Sequence, residues 1–188
     1  MRIVVSGTHA SGKSTLLSDF ALRHPGFTVL PDPFDLLDEA WDAPRATMFA
    51  SQLRLAADRL DPGENPGDVI AERGPLDFLA YLVALGETTG SPASPALLER
   101  SAEITAAALE HVDLLVVLPL ATADPIEVGE EEDPELRAAM NDALLDLVDD
   151  PDLVGTHLRV AELVGSPEER LARLEALVSV HGAPSTPS

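Results

Sequence analysis

Apolar residues follow two rhythms along this chain, and the alternation between them sets the expected fold. Short apolar-rich stretches at Ile3-Val4-Val5, 27–30, 68–71 and 112–118, the last the most hydrophobic, read as strands, and 158–163 as a fifth. Between them, apolar positions recur three or four residues apart. A first helix is expected over Lys13–Arg23, and a second over 44–60, with Pro44 opening it and Phe49, Leu53, Ala56 and Leu60 as its core stripe. Pro75 opens a third, carrying Leu76, Leu79, Leu82 and Val83, and a Gly/Ser/Pro-rich connector at 90–95 leads into a fourth that ends near Glu110. Gly165-Ser-Pro-Glu starts the last. Pro31 and Pro33 close the second strand, and the proline- and glycine-rich stretch 61–67 is a loop. Five strands separated by helices predict an α/β fold, a three-layer αβα sandwich around a five-stranded parallel sheet. Residues 1–180 read as one domain without repeat or linker, and 181–188 as a flexible tail.

One turn adds chemistry to this outline. Gly7-Thr-His-Ala-Ser-Gly-Lys-Ser14 lies between the first strand and the first helix and matches the phosphate-binding pattern G-x-x-x-x-G-K-[ST] at every fixed position. Lys13 is the single lysine in the chain, against eleven arginines. A compact ammonium that reaches β- and γ-phosphates is a task the planar guanidinium performs less well, which explains the exception. Gly7, Thr8, His9, Ala10, Ser11, Gly12, Lys13, Ser14 and Thr15 are therefore assigned to nucleotide binding, with backbone N–H groups and a helix N-terminus facing the phosphate. Ser14 is expected on Mg²⁺.

Composition narrows the partners. With 33 acidic against 12 basic residues the net charge is −21, which argues against DNA, RNA or an anionic membrane. No run reaches the length of a membrane span, and the chain enters a strand directly without a signal-peptide pattern, so a cytoplasmic location is expected. The absence of cysteine excludes disulfides and thiolate-bound zinc. The five histidines, His9, His24, His111, His157 and His181, show no metal-ligand spacing.

Ligands of an open parallel sheet collect at the carboxyl ends of its strands, which singles out Asp32 after the second strand and Glu72-Arg73 after the third. Asp32 is expected to accept the proton of an attacking hydroxyl. Arg73 is expected to hold the transferring group, and Glu72 to ligate Mg²⁺ through water or orient the nucleophile. Arg45, Gln52 and Arg59 recur every seven residues on the second helix and define a polar stripe beside its core. The Gln52 amide offers the donor and acceptor that a heterocycle edge requires. Asp77 and Tyr81 on the next helix are candidates to complete that acceptor pocket, and Trp41 reads as core packing or a pocket wall.

With one lysine already used, the Asn-Lys-x-Asp signature of regulatory GTPases cannot occur, and the Leu-Ser-Gly-Gly motif of transporter ATPases is absent. What remains resembles the P-loop nucleoside and nucleotide kinases, including deoxynucleoside kinases, thymidylate kinases and ribosylnicotinamide-kinase-like ATPases. The resemblance covers about residues 1–180 and rests on the phosphate loop, on Glu72-Arg-Gly-Pro-Leu-Asp77, and on Pro31-Asp-Pro33, where aspartate stands for the glutamate base of deoxynucleoside kinases. It implies ATP and Mg²⁺ as cofactors and a nucleotide-kinase-like P-loop NTPase fold. It also implies base recognition by Gln52 with Arg59, and an adenine-side loop at Gly165, Ser166 and Pro167. Dimers are common in that group, so a homodimer is a possible assembly. The departure lies in the lid, near 121–137. Residues 121–133 contain no arginine but carry Glu127, Glu130, Glu131, Glu132 and Asp133, leaving Arg137 as the nearby lid cation. The expected activity is transfer of the ATP γ-phosphoryl group to a small-molecule acceptor, a nucleoside, nucleotide or nucleoside-like metabolite. The acidic lid suits a cationic natural product instead, and a regulatory ATPase is the alternative outside the kinases.

Overall fold

The computed structural model describes residues 1–36, 45–90, 92–120 and 133–181; Trp41, Pro44, the acidic stretch 121–132 and the tail 182–188 lie outside them. In chain order the elements are β1 (Arg2–Ser6), α1 (Lys13–Arg23), β2 (Thr28–Leu30), a 3-10 turn (Pro33–Leu36), α2 (Ala46–Arg59), β3 (Val69–Glu72), α3 (Pro75–Thr89) and α4 (Pro95–Leu109), followed by β4 (Leu114–Val117), α5 (Pro134–Val148), α6 (Pro151–Val154), β5 (Arg159–Glu162) and α7 (Pro167–His181). The expected strands are all present: β1 runs one residue further at each end, β3 is shifted by one residue, and β2, β4 and β5 are shorter than expected. α5 and α6 go beyond the sequence expectation, which places a lid near 121–137 and no element between it and the fifth strand.

The sheet is parallel throughout, in the order β2-β3-β1-β4-β5. Alternation of side chains along the strands divides the core into two layers, because successive residues of a strand face opposite sides. Ile3 and Val5 of β1, Ile70 of β3, and Leu114 and Val116 of β4 pack on Leu16, Leu17 and Phe20 of α1 and on Leu171 and Leu174 of α7. Val4, Val69, Ala71, Leu115 and Val117 face the other way, onto α2 to α6. This is the expected α/β sandwich.

The order places three functional strand ends side by side. The chain leaves β1 at the phosphate loop and builds β3 and β2 on one flank, then β4 and β5 on the other, so the loop sits where the winding reverses. Residues that follow β2 and β3 therefore meet the loop from the same flank.

Phe20 is fully buried, stacks on His24 with ring centroids 4.2 Å apart and meets Phe27 edge to face at 5.1 Å. Phe20→Ala is expected to lower the unfolding free energy by about 3–5 kcal/mol, which equilibrium denaturant unfolding would measure; a loss below about 1 kcal/mol would mean that the α1 layer is not packed as described.

Candidate active site

β1 ends in a turn that only glycine fits at its first position. Gly7 has φ +151, and a Cβ there would lie 2.7 Å from the Leu118 carbonyl and 2.8 Å from Ser11 Oγ. The loop then wraps over the N-terminus of α1, with Gly12 in the left-handed region at φ +89.

Cations hold this loop by its carbonyls. Arg73 Nη1 donates to the Gly7 carbonyl at 2.8 Å and Lys13 Nζ to that of Thr8 at 2.6 Å. Arg137 bonds the carbonyls of His9 through Nε at 3.0 Å and Ala10 through Nη2 at 3.3 Å, and Arg170 Nη1 takes that of Ser11 at 2.9 Å. A trans peptide unit points its N–H away from its carbonyl, so each held carbonyl fixes the N–H that follows it, in residues 8–12, in a direction away from the cation that holds it. Arg170 was not identified in the sequence; its position in the first turn of α7, where a cation opposes the helix dipole, is the signal that was available.

Asp77 supports the loop from below. One oxygen accepts from Ser6 Oγ at 2.6 Å and the Gly74 N–H at 2.9 Å, and the other accepts the Gly7 N–H at 2.9 Å. The side chain is fully buried, and burial pushes its carboxyl above the usual range against the pull of Arg73 and these three donors. The structure thus places Asp77 beneath the phosphate loop with both oxygens engaged, not in the acceptor pocket that its helix position suggested.

Arg73 joins the loop to the flank of β2. It stands directly after β3 with φ +61, its N–H on the Val5 carbonyl at 3.0 Å. A left-handed backbone at a non-glycine residue costs about 1 kcal/mol or more and persists only where its surroundings enforce it. Here Nε donates to Asp32 Oδ2 at 2.7 Å, and the guanidinium lies 5.1 Å from the Phe34 ring centroid and 5.6 Å from that of Tyr81. Burial alone would weaken its hold on the proton, but Tyr81, Asp32 and Asp77 more than offset this and push it upward, so Arg73 is a fixed cation. Asp32 Oδ1 accepts the Phe34 N–H at 3.0 Å, which caps the 3-10 turn. Each oxygen of Asp32 keeps a second lone pair for a proton.

A crevice of about 270 Å³ opens between these groups, lined by loop residues 9–15 and by Asp32, Asp35, Glu72 and Arg73. Ser14 Oγ donates to Glu72 Oε1 at 2.8 Å. Burial raises the Glu72 carboxyl above its usual range, opposed by that hydroxyl and by Lys13. Two hard oxygen donors beside a phosphate loop suit Mg²⁺, which commonly takes one or two protein ligands and completes its shell with phosphate and water. Among the described residues no cluster of three His, Cys, Asp or Glu would hold a metal by protein groups alone. Asp35 was not singled out in the sequence.

The stripe on α2 separates. Arg45 is exposed at the helix start, and Arg59 Nη1 donates to the Pro31 carbonyl at 2.8 Å. Gln52 is fully buried, and neither of its amide atoms has a hydrogen-bond partner among the described residues. It lies one turn beyond Phe49, whose ring stacks on Tyr81 at 4.8 Å and 8°. Gly165, Ser166 and Pro167 do not line the crevice. Ser166 and Glu169 instead bond reciprocally, the Ser166 N–H to Glu169 Oε2 at 2.9 Å and the Glu169 N–H to Ser166 Oγ at 3.3 Å, capping α7.

A family model described as an AAA domain matches residues 2–170. The chain belongs to this AAA-domain family. Its fold is that of the P-loop nucleoside and nucleotide kinases: thymidylate kinase from Candida albicans superposes with a TM-score of 0.65 at 17% identity, over 96% of this chain and 91% of that one. Deoxyadenosine kinase from M. mycoides gives 0.67 at 12% identity, over 96% and 100%. NadR in complex with NR gives 0.65 at 15%, with all of this chain spanning 51% of that protein. No curated protein matches the sequence. At these identities the likeness fixes the fold and leaves the substrate to the site. No described helix is long and apolar enough to cross a membrane.

Within this AAA-domain chain Lys13 carries a pH signature. Burial, then the charge of Arg73, lowers it from 10.5 to about 7, only partly offset by Asp77, Glu72 and Asp32. The unfolded chain binds the extra proton between those two values, so the Lys13 contribution to stability rises with pH from about 7 to 10.5 in the nucleotide-free protein. A bound polyphosphate favours the ammonium. Calorimetric titration with nucleotide at pH 8 in buffers of different ionisation enthalpy should therefore show proton uptake that Lys13→Met removes; uptake persisting in Lys13→Met would assign the proton elsewhere.

Proposed function

We propose that the protein is an ATP-dependent small-molecule kinase that transfers the γ-phosphoryl group to a hydroxyl or phosphate of a nucleoside, nucleotide or nucleoside-like metabolite. The observation that carries this reading is the convergence of Asp32, Glu72 and Arg73, from the ends of two neighbouring strands, on the crevice beneath a complete phosphate loop. A switch or motor needs the loop and a metal site; an aspartate paired with an arginine on the acceptor side is the added part that phosphoryl transfer to a second substrate uses.

In this reading Lys13 and the loop N–H groups hold the phosphates, while Ser14 and Glu72 hold Mg²⁺. Mg²⁺ supplies charge neutralisation at the phosphate oxygens when bound. Arg73 and Arg137 stabilise charge on the transferring group, and Asp32 orients the acceptor hydroxyl and takes its proton. The orphaned Gln52 amide supports a heterocyclic acceptor, since a buried donor and acceptor without partners are costly unless a ligand completes them. Phe34, Phe49 and Tyr81 supply aromatic surface nearby. Asp35, as a third carboxylate on the crevice, favours a second reading in which the acceptor is cationic.

Acceptor-dependent ADP release from Mg-ATP should appear with nucleosides or nucleoside monophosphates; stimulation only by aminoglycoside-like cations would select the second reading, and none by any acceptor, with ATP bound, a regulatory ATPase. Asp32→Asn should lower turnover by about 10²- to 10⁴-fold with ATP affinity retained, and unchanged turnover would remove Asp32 from the mechanism. Gln52→Leu should leave the fold as stable or more so while lowering acceptor kcat/KM by about 10-fold or more; unaltered acceptor kinetics would place recognition elsewhere.

A further inference from the structure

Arg170 is 9% exposed, its Nη1 bonds the Ser11 carbonyl at 2.9 Å, and its Nε is buried without a partner among the described residues. No carboxylate pairs with it among the described residues. Folding energetics do not account for such a residue. A buried guanidinium with an unsatisfied donor is costly, and a cation in the first turn of a helix opposes its dipole. The neighbouring Leu171 and Leu174 show that apolar side chains fit this side of α7. Ser11 Oγ, on the other partner of the same bond, is also buried and has no partner among the described residues, so the junction is incompletely satisfied there.

We infer that Arg170 is a positioning residue of the phosphate site, which by holding the Ser11 carbonyl outward sets the direction of the Gly12 N–H and links the phosphate loop to the segment that follows β5. The inference rests on the nucleotide-binding part of the function proposed above. The Ser11–Gly12 peptide is trans, so its N–H points opposite to the carbonyl that Arg170 holds. Arg170 itself is fixed to that segment, its N–H bonding the Ser166 carbonyl at 3.0 Å at the start of α7. Arg73, Lys13 and Arg137 hold the other carbonyls from the opposite flank, from α1 and from α5, and Arg170 is the clamp from β5 and α7.

The test compares wild type, Arg170→Met and Arg170→Lys for binding of ATP and of inorganic tripolyphosphate, together with the nucleotide-free Tm. Arg170→Met should weaken both ligands by the same factor, about 10- to 100-fold, with an unchanged or higher Tm because an uncompensated buried charge is gone. Arg170→Lys should recover part of the loss. Wild-type affinity in Arg170→Met, a loss confined to ATP, or a loss accompanied by a lower Tm would each overturn the inference. A wild-type chain that binds neither ligand overturns it together with the kinase reading. Binding of both without phosphoryl transfer to any acceptor overturns the kinase reading alone.

Discussion

Everything at this site depends on one arrangement: five consecutive carbonyls of the phosphate loop, from Gly7 to Ser11, each held by a cation. A glycine-bearing loop has little reason to keep one conformation on its own. Carbonyls satisfied in this way fix the direction of the N–H groups that follow them, so the loop keeps one shape before any anion arrives. The four cations come from α1, the end of β3, α5 and α7, so the loop is correctly shaped only when every layer of the sandwich is in place. Asp77 closes the arrangement from beneath by tying Ser6, Gly7 and the start of α3 together. The overall charge of −21 is then no obstacle to binding a polyphosphate, because the field in the crevice is set by these cations at contact range and the surface charge is screened within about 8–10 Å.

The same arrangement gathers the molecule's unfavourable features in one region. Arg73 has a left-handed backbone, burial lowers Lys13 to about 7, and Gln52, Ser11 and Arg170 carry buried polar atoms without partners among the described residues. None of these helps the chain fold. The stability comes from the two apolar layers, where the β1, β3 and β4 side chains are almost completely buried. Strain and unsatisfied groups confined to one end of a well-packed sheet are what a binding site looks like when its surroundings over-determine it.

The architecture was legible because central parallel strands must be apolar on both faces, so β1, β3 and β4 announce themselves as short apolar runs, while the half-exposed edge strands β2 and β5 carry a weaker signal. The loop was legible because its spacing is fixed by the phosphate it cradles. Asp32 and Glu72-Arg73 could be singled out as strand-end residues, but their adjacency depends on β2, β3 and β1 being neighbours, which the order of elements along the chain does not state. α5 was readable in principle, since Leu136, Met140, Ala143 and Leu144 follow a helical period; the acidic residues before it drew attention to a lid instead. Asp77 was misplaced for a related reason. It lies four residues before Tyr81 on the same helix, yet Tyr81 joins the aromatic cluster while Asp77 turns back to the helix start as its capping residue.

Gln52 shows where such reading stops. A seven-residue spacing puts Arg45, Gln52 and Arg59 on one helical face, and polarity alone predicts that the face is solvated. The structure gives the three different fates, because α2 begins at the surface, crosses beneath the aromatic cluster and ends against the Pro31 carbonyl. Burial is decided by what packs over each turn, and α2 packs against α3, α4 and the 3-10 turn that carries Phe34, none of which its own sequence reveals. An amide buried among such neighbours is unfavourable in the isolated protein. Among the described residues nothing completes its donor and acceptor, so this cost stands in the folded chain.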